Sequence, residues 1–143
     1  MFDRILVVCV GNICRSPTAE RLLQRGLPHK SIQSAGLHAM VDHPADDTTR
    51  QVAESHGLSL EGHRARQLTQ ALCQQAELIL VMEKRHISAV NHIDASARGK
   101  TMLMGHWSGQ AEVSDPYRMS IEAHEHVYQL LEKTAQTWIE KLR

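Results

Sequence analysis

The chain has 143 residues, of which 42% are apolar and 22% charged, values that are ordinary for one globular domain spanning residues 1–143. Lysine plus arginine and aspartate plus glutamate number 16 each, so there is no basic excess of the kind that nucleic-acid binding requires. Three cysteines, none of them in a CxxC pair, argue against a disulfide framework and against a structural zinc site.

The first apolar run, residues 4–9, is too short to cross a membrane, and no signal-peptide pattern accompanies it. We therefore expect a protein of the cytoplasm that does not insert into a membrane. The run is rich in branched side chains, which is typical of a strand buried on both faces. Ser16 and Pro17 then have the character of a helix N-cap and a first helical residue, and Gly26 that of a helix end.

The rest of the chain alternates between strand and helix patterns. The expected elements are a strand at 30–34, a helix at 45–55, a short helix capped by Thr69, a strand at 77–82, a helix from Lys84, a strand at 101–104 and a helix from Ser120. This alternation predicts an α/β fold, a three-layer sandwich with a four-stranded parallel sheet and helices on both faces. In such folds ligands bind beyond the carboxyl ends of the strands, and residues 9–16 follow the first strand.

Residues 9–16 are the segment that carries chemistry. A cysteine and an arginine are separated by five residues, and the turn between them leads into a helix. Successive backbone N–H groups in such a turn, together with the helix N-terminus, form a binding site for an anion. Gly11 allows the backbone to approach an anion closely, and Arg15 offers two hydrogen bonds to phosphoryl oxygens. We call residues 9–16 the phosphate loop.

Cys9 would lie at the base of this loop, where the helix N-terminus and an arginine favour the thiolate form. A hydrogen bond from Ser16 would stabilise the thiolate further. A thiolate in line with a bound phosphoryl group can attack phosphorus and form a cysteinyl-phosphate, which water then hydrolyses. The alternative is a buried, inert cysteine beside a surface arginine. The order of buried strand, turn and helix favours the chemical interpretation.

Asp115 is the best candidate for an acid that protonates the leaving alkoxide or phenoxide. A general acid contributes about 10²–10⁴-fold to such a reaction. Asp115 lies after the last predicted strand, on the ligand-binding side of the sheet, and Pro116 restricts its backbone to extended conformations. A phosphate dianion nearby would favour the protonated carboxyl group. Asp-Pro is also a common turn signal, so the pattern alone leaves a structural role open.

The residues Val8-Cys-Val-Gly-Asn-Ile-Cys-Arg-Ser-Pro-Thr-Ala-Glu20, with Asp115-Pro-Tyr117 late in the chain, resemble those of low-molecular-weight protein tyrosine phosphatases. The resemblance extends to Ser34-Ala-Gly36, Gly62-His-Arg-Ala-Arg66 and Leu80-Val-Met-Glu83. It is greatest to the bacterial branch that occurs with capsule and exopolysaccharide export systems. The resemblance implies a phosphotyrosine phosphatase that needs no metal or other cofactor. Its partner would be a tyrosine-phosphorylated protein, namely an autophosphorylating membrane tyrosine kinase.

The resemblance also implies a role for individual residues. Cys9 is the nucleophile, Arg15 binds the phosphate, and Asp115 acts first as the acid and then as the base. Asn12 would hold the loop in shape, and Ser16 would stabilise the thiolate. The other loop residues expected to bind the phosphate are Val10, Gly11, Ile13 and Cys14.

Substrate recognition is expected to involve residues 37–44, where eukaryotic members usually have an aromatic residue that stacks on phosphotyrosine. This chain has Leu37, His38 and Met40 there, which favours apolar contact instead. Tyr117 is then the only aromatic residue predicted to lie close to the phenol ring.

The other cysteines and the histidines bear on the alternatives. Cys14 matches a family cysteine that can form a reversible disulfide with the nucleophile, and simple packing is its other possible role. No cysteine follows Cys73, which argues against an arsenate reductase on the same fold, because that enzyme needs late resolving cysteines. A phosphoprotein-binding module is a further alternative, although binding alone requires neither Cys9 nor Asp115. The ten histidines form no HExxH motif or Cys/His cluster, which argues against a metal.

Overall fold

The structure, a computed structural model, describes residues 2–143, so that Met1, the first residue of the predicted domain, lies outside the described part. Its strands are β1 (Arg4–Cys9), β2 (Ser31–Gly36), β3 (Leu78–Val81) and β4 (Thr101–Leu103). Its helices are α1 (Arg15–Gly26), α2 (Asp47–Ser55), α3 (Gln70–Gln75), α4 (Lys84–Ile93) and α5 (Ile121–Leu142). The predicted elements are confirmed with ends displaced by one or two residues, and a 3-10 helix at Ala95–Lys100 was not predicted.

The four strands form one parallel sheet in the order β2-β1-β3-β4. Alternate residues of β1 face opposite layers, as the pleat of a strand requires. Ile5 and Val7 pack in a core with residues of α1, α2 and α5, whereas Leu6 and Val8 pack in a second core with residues of α3 and α4. The predicted three-layer α/β fold is therefore confirmed.

The strand order determines where the phosphate loop lies in the fold. The chain passes from β1 to β2 on one side, and the next strand, β3, lies on the other side of β1. Ligands of open α/β sheets bind where the strand order reverses in this way, beyond the carboxyl ends of the strands. The phosphate loop, which follows β1, begins at that point. Within residues 2–143, no helix combines the length and the apolar character that crossing a bilayer requires.

The start of α1 corrects one prediction. The N-cap is Cys14, with φ −120°, and Ser16 is the second residue inside the helix rather than its cap. No side chain caps this helix. The physical reason is that the Ser16 hydroxyl group is already bonded to Cys9 Sγ and Asn12 Nδ2. The Ser16 hydroxyl group, which the local pattern assigned to helix capping, is thus used in tertiary hydrogen bonds instead.

The end of α1 agrees with its prediction. Gly26 is the last residue of the helix, and a Cβ atom at this position would overlap the side chain of Ile139 in α5. Gly26 therefore ends the helix as predicted and also allows α1 and α5 to approach closely. The predicted cap at Thr69 is confirmed, and Ser120, where the last helix was expected to begin, is its N-cap; each side chain accepts a hydrogen bond from the backbone N–H group three residues later.

Candidate active site

The backbone of the phosphate loop turns its carbonyl groups outward. Each carbonyl oxygen of residues 9–14 accepts a hydrogen bond of 2.6–3.0 Å from a group outside the loop. The donors are the backbone N–H groups of Leu37, His38, Met40 and Asp46 and the side chains of His63 and Thr18. Because the N–H and C=O groups of a peptide unit point in opposite directions, the loop amides turn inward. With the N-terminus of α1 behind them, they form an arrangement that suits an anion.

Asn12 holds this backbone from behind. It is fully buried and has a left-handed φ of 59°. Its Nδ2 donates to Ser16 Oγ at 2.8 Å and to Ser34 Oγ at 3.0 Å, and its Oδ1 accepts from the Arg66 backbone N–H at 2.9 Å. Ser34 Oγ in turn donates to Glu20 Oε1 at 2.6 Å. Every hydrogen-bonding group of the Asn12 side chain is thus occupied, which stabilises the strained turn.

Cys9 lies at the carboxyl end of β1, with its sulfur facing the loop interior. Its Sγ is 2.9 Å from Ser16 Oγ and accepts the Ser16 backbone N–H at 3.4 Å. Because Ser16 Oγ already accepts the Asn12 amide, its own proton is available to the Cys9 sulfur. Two hydrogen-bond donors therefore converge on Cys9 Sγ.

Arg15 is buried, with 1% of its side chain exposed, and three groups surround its guanidinium. Nη1 donates to Glu83 Oε2 at 2.6 Å and to the Val113 carbonyl at 2.8 Å, and Nη2 lies 3.7 Å from Asp115 Oδ2. Nε has no hydrogen-bond partner among residues 2–143. Partial burial opposes the ionisation of Glu83, but hydrogen bonds from Arg15 and Arg85 outweigh it and lower the Glu83 pKa. The carboxylate of Glu83 is thus fixed as the counter-charge of Arg15.

A cavity of about 170 Å³ opens above the loop. It is lined by Cys9, Val10, Gly11, Ile13, Cys14, Arg15, His38, Met40, Asp115 and Tyr117. Met40 and Tyr117 are partly buried against Ile13 and Cys14 and form an apolar rim. Asp115 is 44% exposed, and its Oδ1 accepts the Tyr117 backbone N–H at 3.0 Å. The structure therefore brings most of the predicted site residues to one cavity.

Three predicted site residues do not line this cavity. Asn12 and Ser16 are buried behind the loop and support its shape. The substrate contact predicted for Leu37 is wrong, because this side chain is 8% exposed and packs in the core with Val8 and Val81. The end of β2 turns the Leu37 side chain toward α3 and α4. The contact of Leu37 with the phosphate loop is the hydrogen bond from its backbone N–H group to the Cys9 carbonyl.

Sequence reasoning did not single out Glu83 or His63. Glu83 directly follows the predicted third strand, and a carboxylate at that edge of the sheet was the signal that could have identified it. His63 Nε2 lies 2.6 Å from the Asn12 carbonyl oxygen. Burial lowers the His63 pKa, although the hydrogen bond to Asn12 opposes this effect, so the neutral ring acts as a donor that closes the loop from outside.

Cys14 differs from Cys9 in its surroundings. Burial raises the pKa of the Cys14 thiol to about 12, so this residue stays protonated near neutral pH. Cys9, Cys14 and Cys73 are all buried free thiols. A Cys9–Cys14 disulfide stays a prediction of the family resemblance. Across residues 2–143, no group of three or more His, Cys, Asp or Glu side chains is arranged to hold a metal ion.

A buried thiol and a buried arginine within an inward-facing ring of amides, at the switch point of a parallel sheet, define a phosphate-binding α/β protein. Comparison with known proteins narrows this class. The family model described as low molecular weight phosphotyrosine protein phosphatase matches residues 4–143. The chain belongs to this family.

Individual relatives agree with the family match. The chain is 56% identical to the probable low molecular weight protein-tyrosine-phosphatase AmsI of Erwinia amylovora, over 99% of both chains. The solved structure of Wzb from Escherichia coli K30 in complex with sulphate is 57% identical, with a TM-score of 0.98 over all of both chains. That of Vibrio vulnificus Wzb in complex with benzylphosphonate is 52% identical, with a TM-score of 0.97 over 99% of this chain and 100% of that one.

These relatives confirm the predicted family and its bacterial branch. The protein is a protein-tyrosine-phosphatase, and its substrate is a phosphoprotein. Neither the arsenate reductase nor the phosphoprotein-binding module, the two alternatives that the sequence left open, is named among these relatives.

Proposed function

We propose that this protein-tyrosine-phosphatase hydrolyses phosphotyrosine through a cysteinyl-phosphate intermediate. Cys9 is the nucleophile, Arg15 binds the phosphoryl group, and Asp115 is the general acid and then the general base. One observation carries the proposal. Cys9 lines the cavity together with the phosphate loop, whose amides turn inward, and with Arg15, and this is where a phosphoryl group would be bound.

The donors of the site match a tetrahedral dianion. The loop amides point to the centre of the loop, and Arg15 Nε is a buried donor that no group of residues 2–143 satisfies. A buried donor without a partner costs about 1–3 kcal/mol, and a phosphoryl oxygen would remove that cost. Two Wzb relatives form complexes with the tetrahedral anions sulphate and benzylphosphonate, which supports a site of this kind in the present chain.

The reaction then takes two steps. In the first, the Cys9 thiolate attacks phosphorus, the P–S bond forms, the bond to the phenolic oxygen breaks, and Asp115 gives its proton to that oxygen. In the second, the Asp115 carboxylate accepts a proton from water, which attacks phosphorus. The P–S bond breaks, and inorganic phosphate leaves with Cys9 again a thiolate. Asp115 lies at the exposed mouth of the cavity, where a leaving group would emerge.

The rim of the cavity suits an aromatic leaving group. Met40 and Tyr117 present apolar surface above the loop, and His38 completes the lining on the same side. A phenyl ring that extends from the bound phosphate would contact this surface, whereas the short aliphatic side chain of phosphoserine would not reach it. We therefore expect phosphotyrosine to be preferred over phosphoserine.

The physiological substrate that we propose is an autophosphorylating membrane tyrosine kinase of a capsule or exopolysaccharide export system, which this enzyme would meet in the cytoplasm. This part rests on the resemblance of the loop and Asp115 motifs to the bacterial branch of the family. The catalytic proposal does not depend on it.

The substitution Cys9→Ser tests the nucleophile. We expect kcat/KM for p-nitrophenyl phosphate and for a phosphotyrosine peptide to fall by at least about 10³-fold, because serine is not ionised near neutral pH. Cys73→Ser, which changes a buried core cysteine in the α3 and α4 layer, is the matched control and should turn over normally. Wild-type turnover is measured with and without EDTA, and we expect the two values to be equal. Turnover that survives in Cys9→Ser, or that EDTA abolishes in the wild-type protein, would reject the cysteine mechanism.

The same variant tests the substrate. Cys9→Ser protein, immobilised and exposed to a native lysate of the source cells, should retain a tyrosine-phosphorylated membrane kinase. Free vanadate or phenyl phosphate should release that kinase, because both compete for the phosphate loop. Retention of tyrosine-phosphorylated proteins that include no kinase would refute the proposed substrate and leave the catalytic proposal standing.

A further inference from the structure

Arg118 is an exposed arginine that the proposed mechanism does not use. It directly follows Tyr117, which lines the cavity. Both residues belong to a tight turn at 116–119, which is closed by a hydrogen bond of 2.9 Å from the Met119 N–H to the Pro116 carbonyl. The turn therefore sets Arg118 beside the wall of the cavity, on the side where a leaving group would emerge.

The backbone of Arg118 does not favour an arginine. Its φ is 62°, in the left-handed region, and Arg118 is the third residue of the turn. Glycine or asparagine is the usual residue at the third position of a turn when φ is positive there. Residues held in such a conformation against their preference cluster at functional sites. The side chain of Arg118 is therefore the part of this residue in which a function is to be sought.

The guanidinium of Arg118 lies over an aromatic ring of the cavity rim. Its Cζ is 5.2 Å from the centroid of the Tyr117 ring, which is the geometry of a cation–π contact. Tyr117 itself packs against Ile13 and Cys14 of the phosphate loop. The guanidinium is thus held close to the mouth of the cavity by a ring that rests on the phosphate loop.

Arg118 also differs from nearby arginines in its charge partners. Arg15 is paired with Glu83, and Arg64 lies 3.6 Å from Asp42. Within residues 2–143, the Arg118 side chain has neither an ion pair nor a hydrogen bond, and its one contact of this kind is with the Tyr117 ring. A cation–π contact uses the face of the guanidinium, whereas its N–H donors lie in the plane. These donors are therefore available to an anion from another molecule.

We infer that Arg118 is a specificity-determining residue, which binds an anionic group of the substrate chain next to the phosphotyrosine. The group is a carboxylate or a phosphoryl group, because a guanidinium pairs with either through two parallel hydrogen bonds. Consecutive Cα atoms are about 3.8 Å apart, so the neighbours of a phosphotyrosine whose ring contacts Tyr117 would emerge near Arg118. The inference rests on the proposed function, which places that ring at the rim.

The test compares two peptides that differ only in charge. Each has one phosphotyrosine, flanked on both sides by glutamates in the acidic peptide and by glutamines in the neutral one. The quantity measured is the ratio of kcat/KM for the acidic peptide to kcat/KM for the neutral peptide. At low ionic strength, Arg118→Gln should lower this ratio by about threefold relative to the wild type, which is typical of an exposed ion pair. High salt should reduce the difference, because it screens the charges.

Three further variants separate charge from structure. Arg118→Lys keeps the charge and should keep most of the ratio. Arg118→Gly suits the left-handed backbone, so its unfolding temperature should be at least that of the wild type while its ratio is as low as that of Arg118→Gln. Arg98→Gln is the matched control, because it removes the same charge from an exposed residue of the 3-10 helix before β4, at the opposite edge of the sheet. Its ratio should equal that of the wild type.

A third peptide distinguishes the two sources of the anion. It has a non-hydrolysable phosphotyrosine analogue, phosphonomethyl-phenylalanine, in place of the glutamates. We expect Arg118→Gln to lower the ratio for this peptide more, by about fivefold, because the phosphonate approaches a dianion. A larger effect with glutamate would assign the subsite to a carboxylate.

The outcomes also separate this inference from the proposed function. If Arg118→Gln slows the acidic and neutral peptides by the same factor, Arg118 acts only by supporting Tyr117, and the inference is overturned. It is also overturned if Arg118→Lys behaves as Arg118→Gln does. If the wild-type protein hydrolyses phenyl phosphate but none of the peptides, the proposed function fails instead.

Discussion

The two sides of the phosphate loop are held in different ways. Toward β2, the side chains of Asn12, Ser16 and Ser34 are buried, and the Asn12 amide donates to both serine hydroxyl groups. Toward the mouth of the cavity, Asp115 is 44% exposed and Met40 is only partly covered. The part that would bind the phosphoryl group, which is common to all substrates, is held by this buried network. The part that would meet the leaving group is built from exposed segments.

Because of this difference, the two sides of the loop contribute differently to the free energy of unfolding. A buried network that is fully satisfied contributes to stability, and removing one member leaves the others without partners. Exposed segments contribute little to stability, because their groups are solvated whether or not the chain is folded. Substitutions on the buried side should therefore change folding and activity together. Those on the exposed side should change activity alone.

The largest effect is expected from Asn12→Ala. The change removes two donors and one acceptor from the buried network, at a residue with φ 59°. We expect the free energy of unfolding to fall by about 3 kcal/mol and kcat/KM to fall by about 10²-fold. Denaturant unfolding and steady-state kinetics with p-nitrophenyl phosphate measure the two quantities.

Two controls distinguish the effect of the lost side-chain hydrogen bonds from the effect of the left-handed backbone. Asn12→Gly tolerates the left-handed backbone, so it should recover about 1 kcal/mol of stability but little of the activity. Gln110→Ala changes an exposed residue with φ 63° outside the site, and it should cost about 1 kcal/mol with unchanged kinetics. Wild-type activity of Asn12→Gly would show that the side-chain network does not position the loop.

A smaller effect is expected from Glu83→Gln, which removes the counter-charge of the buried Arg15. We expect the free energy of unfolding to fall by about 2 kcal/mol in phosphate-free buffer. Inorganic phosphate should restore part of this loss, because the bound anion supplies the missing negative charge. Denaturant unfolding with and without phosphate measures both effects.

The pH dependence of the same variant gives an independent check. The Glu83 pKa is lowered in the folded protein, so its stabilisation is present above the unfolded value of about 4.3 and is lost as the pH falls through the folded value. The acid-induced loss of stability should therefore be smaller in Glu83→Gln than in the wild type. Glu112→Gln, whose side chain accepts the exposed Lys84 N–H, is the control. Identical acid profiles of Glu83→Gln and the wild type would contradict the assignment.

The buried and exposed sides also differ in how far the sequence predicts them. The phosphate loop is a local pattern, because strand, turn and helix follow one another within residues 4–26, and the fold class follows from the alternation of elements. The partners that fix the loop are distant in the chain. Ser34 is 22 residues from Asn12, and Glu83 is 68 residues from Arg15. They meet only because the parallel register aligns the ends of three strands, which no local pattern encodes.

The two wrong assignments have the same origin. Ser16 has the composition of an N-cap, but the tertiary network uses its hydroxyl group. Leu37 belongs to a segment expected at the cavity, but the sequence does not show which way the chain turns after β2, and the side chain enters the core. His38 and Met40, one and three residues further on, do line the cavity.

The smallest effect is expected from Met40→Ala, on the exposed rim. Removing part of the apolar surface that would contact the phenyl ring should cost about 0.7 kcal/mol, which is about a threefold rise in KM for a phosphotyrosine peptide. Val41→Ala is the matched control, because Val41 is 55% exposed and is not among the residues that line the cavity. Competitive inhibition by inorganic phosphate shows whether Met40→Ala affects the rim alone or also the phosphate loop. Phosphate contacts the loop and not the rim, so its inhibition constant should be the same in both variants and the wild type. Weaker phosphate inhibition of Met40→Ala would show that the rim also shapes the loop, and the two sides would then not be separable.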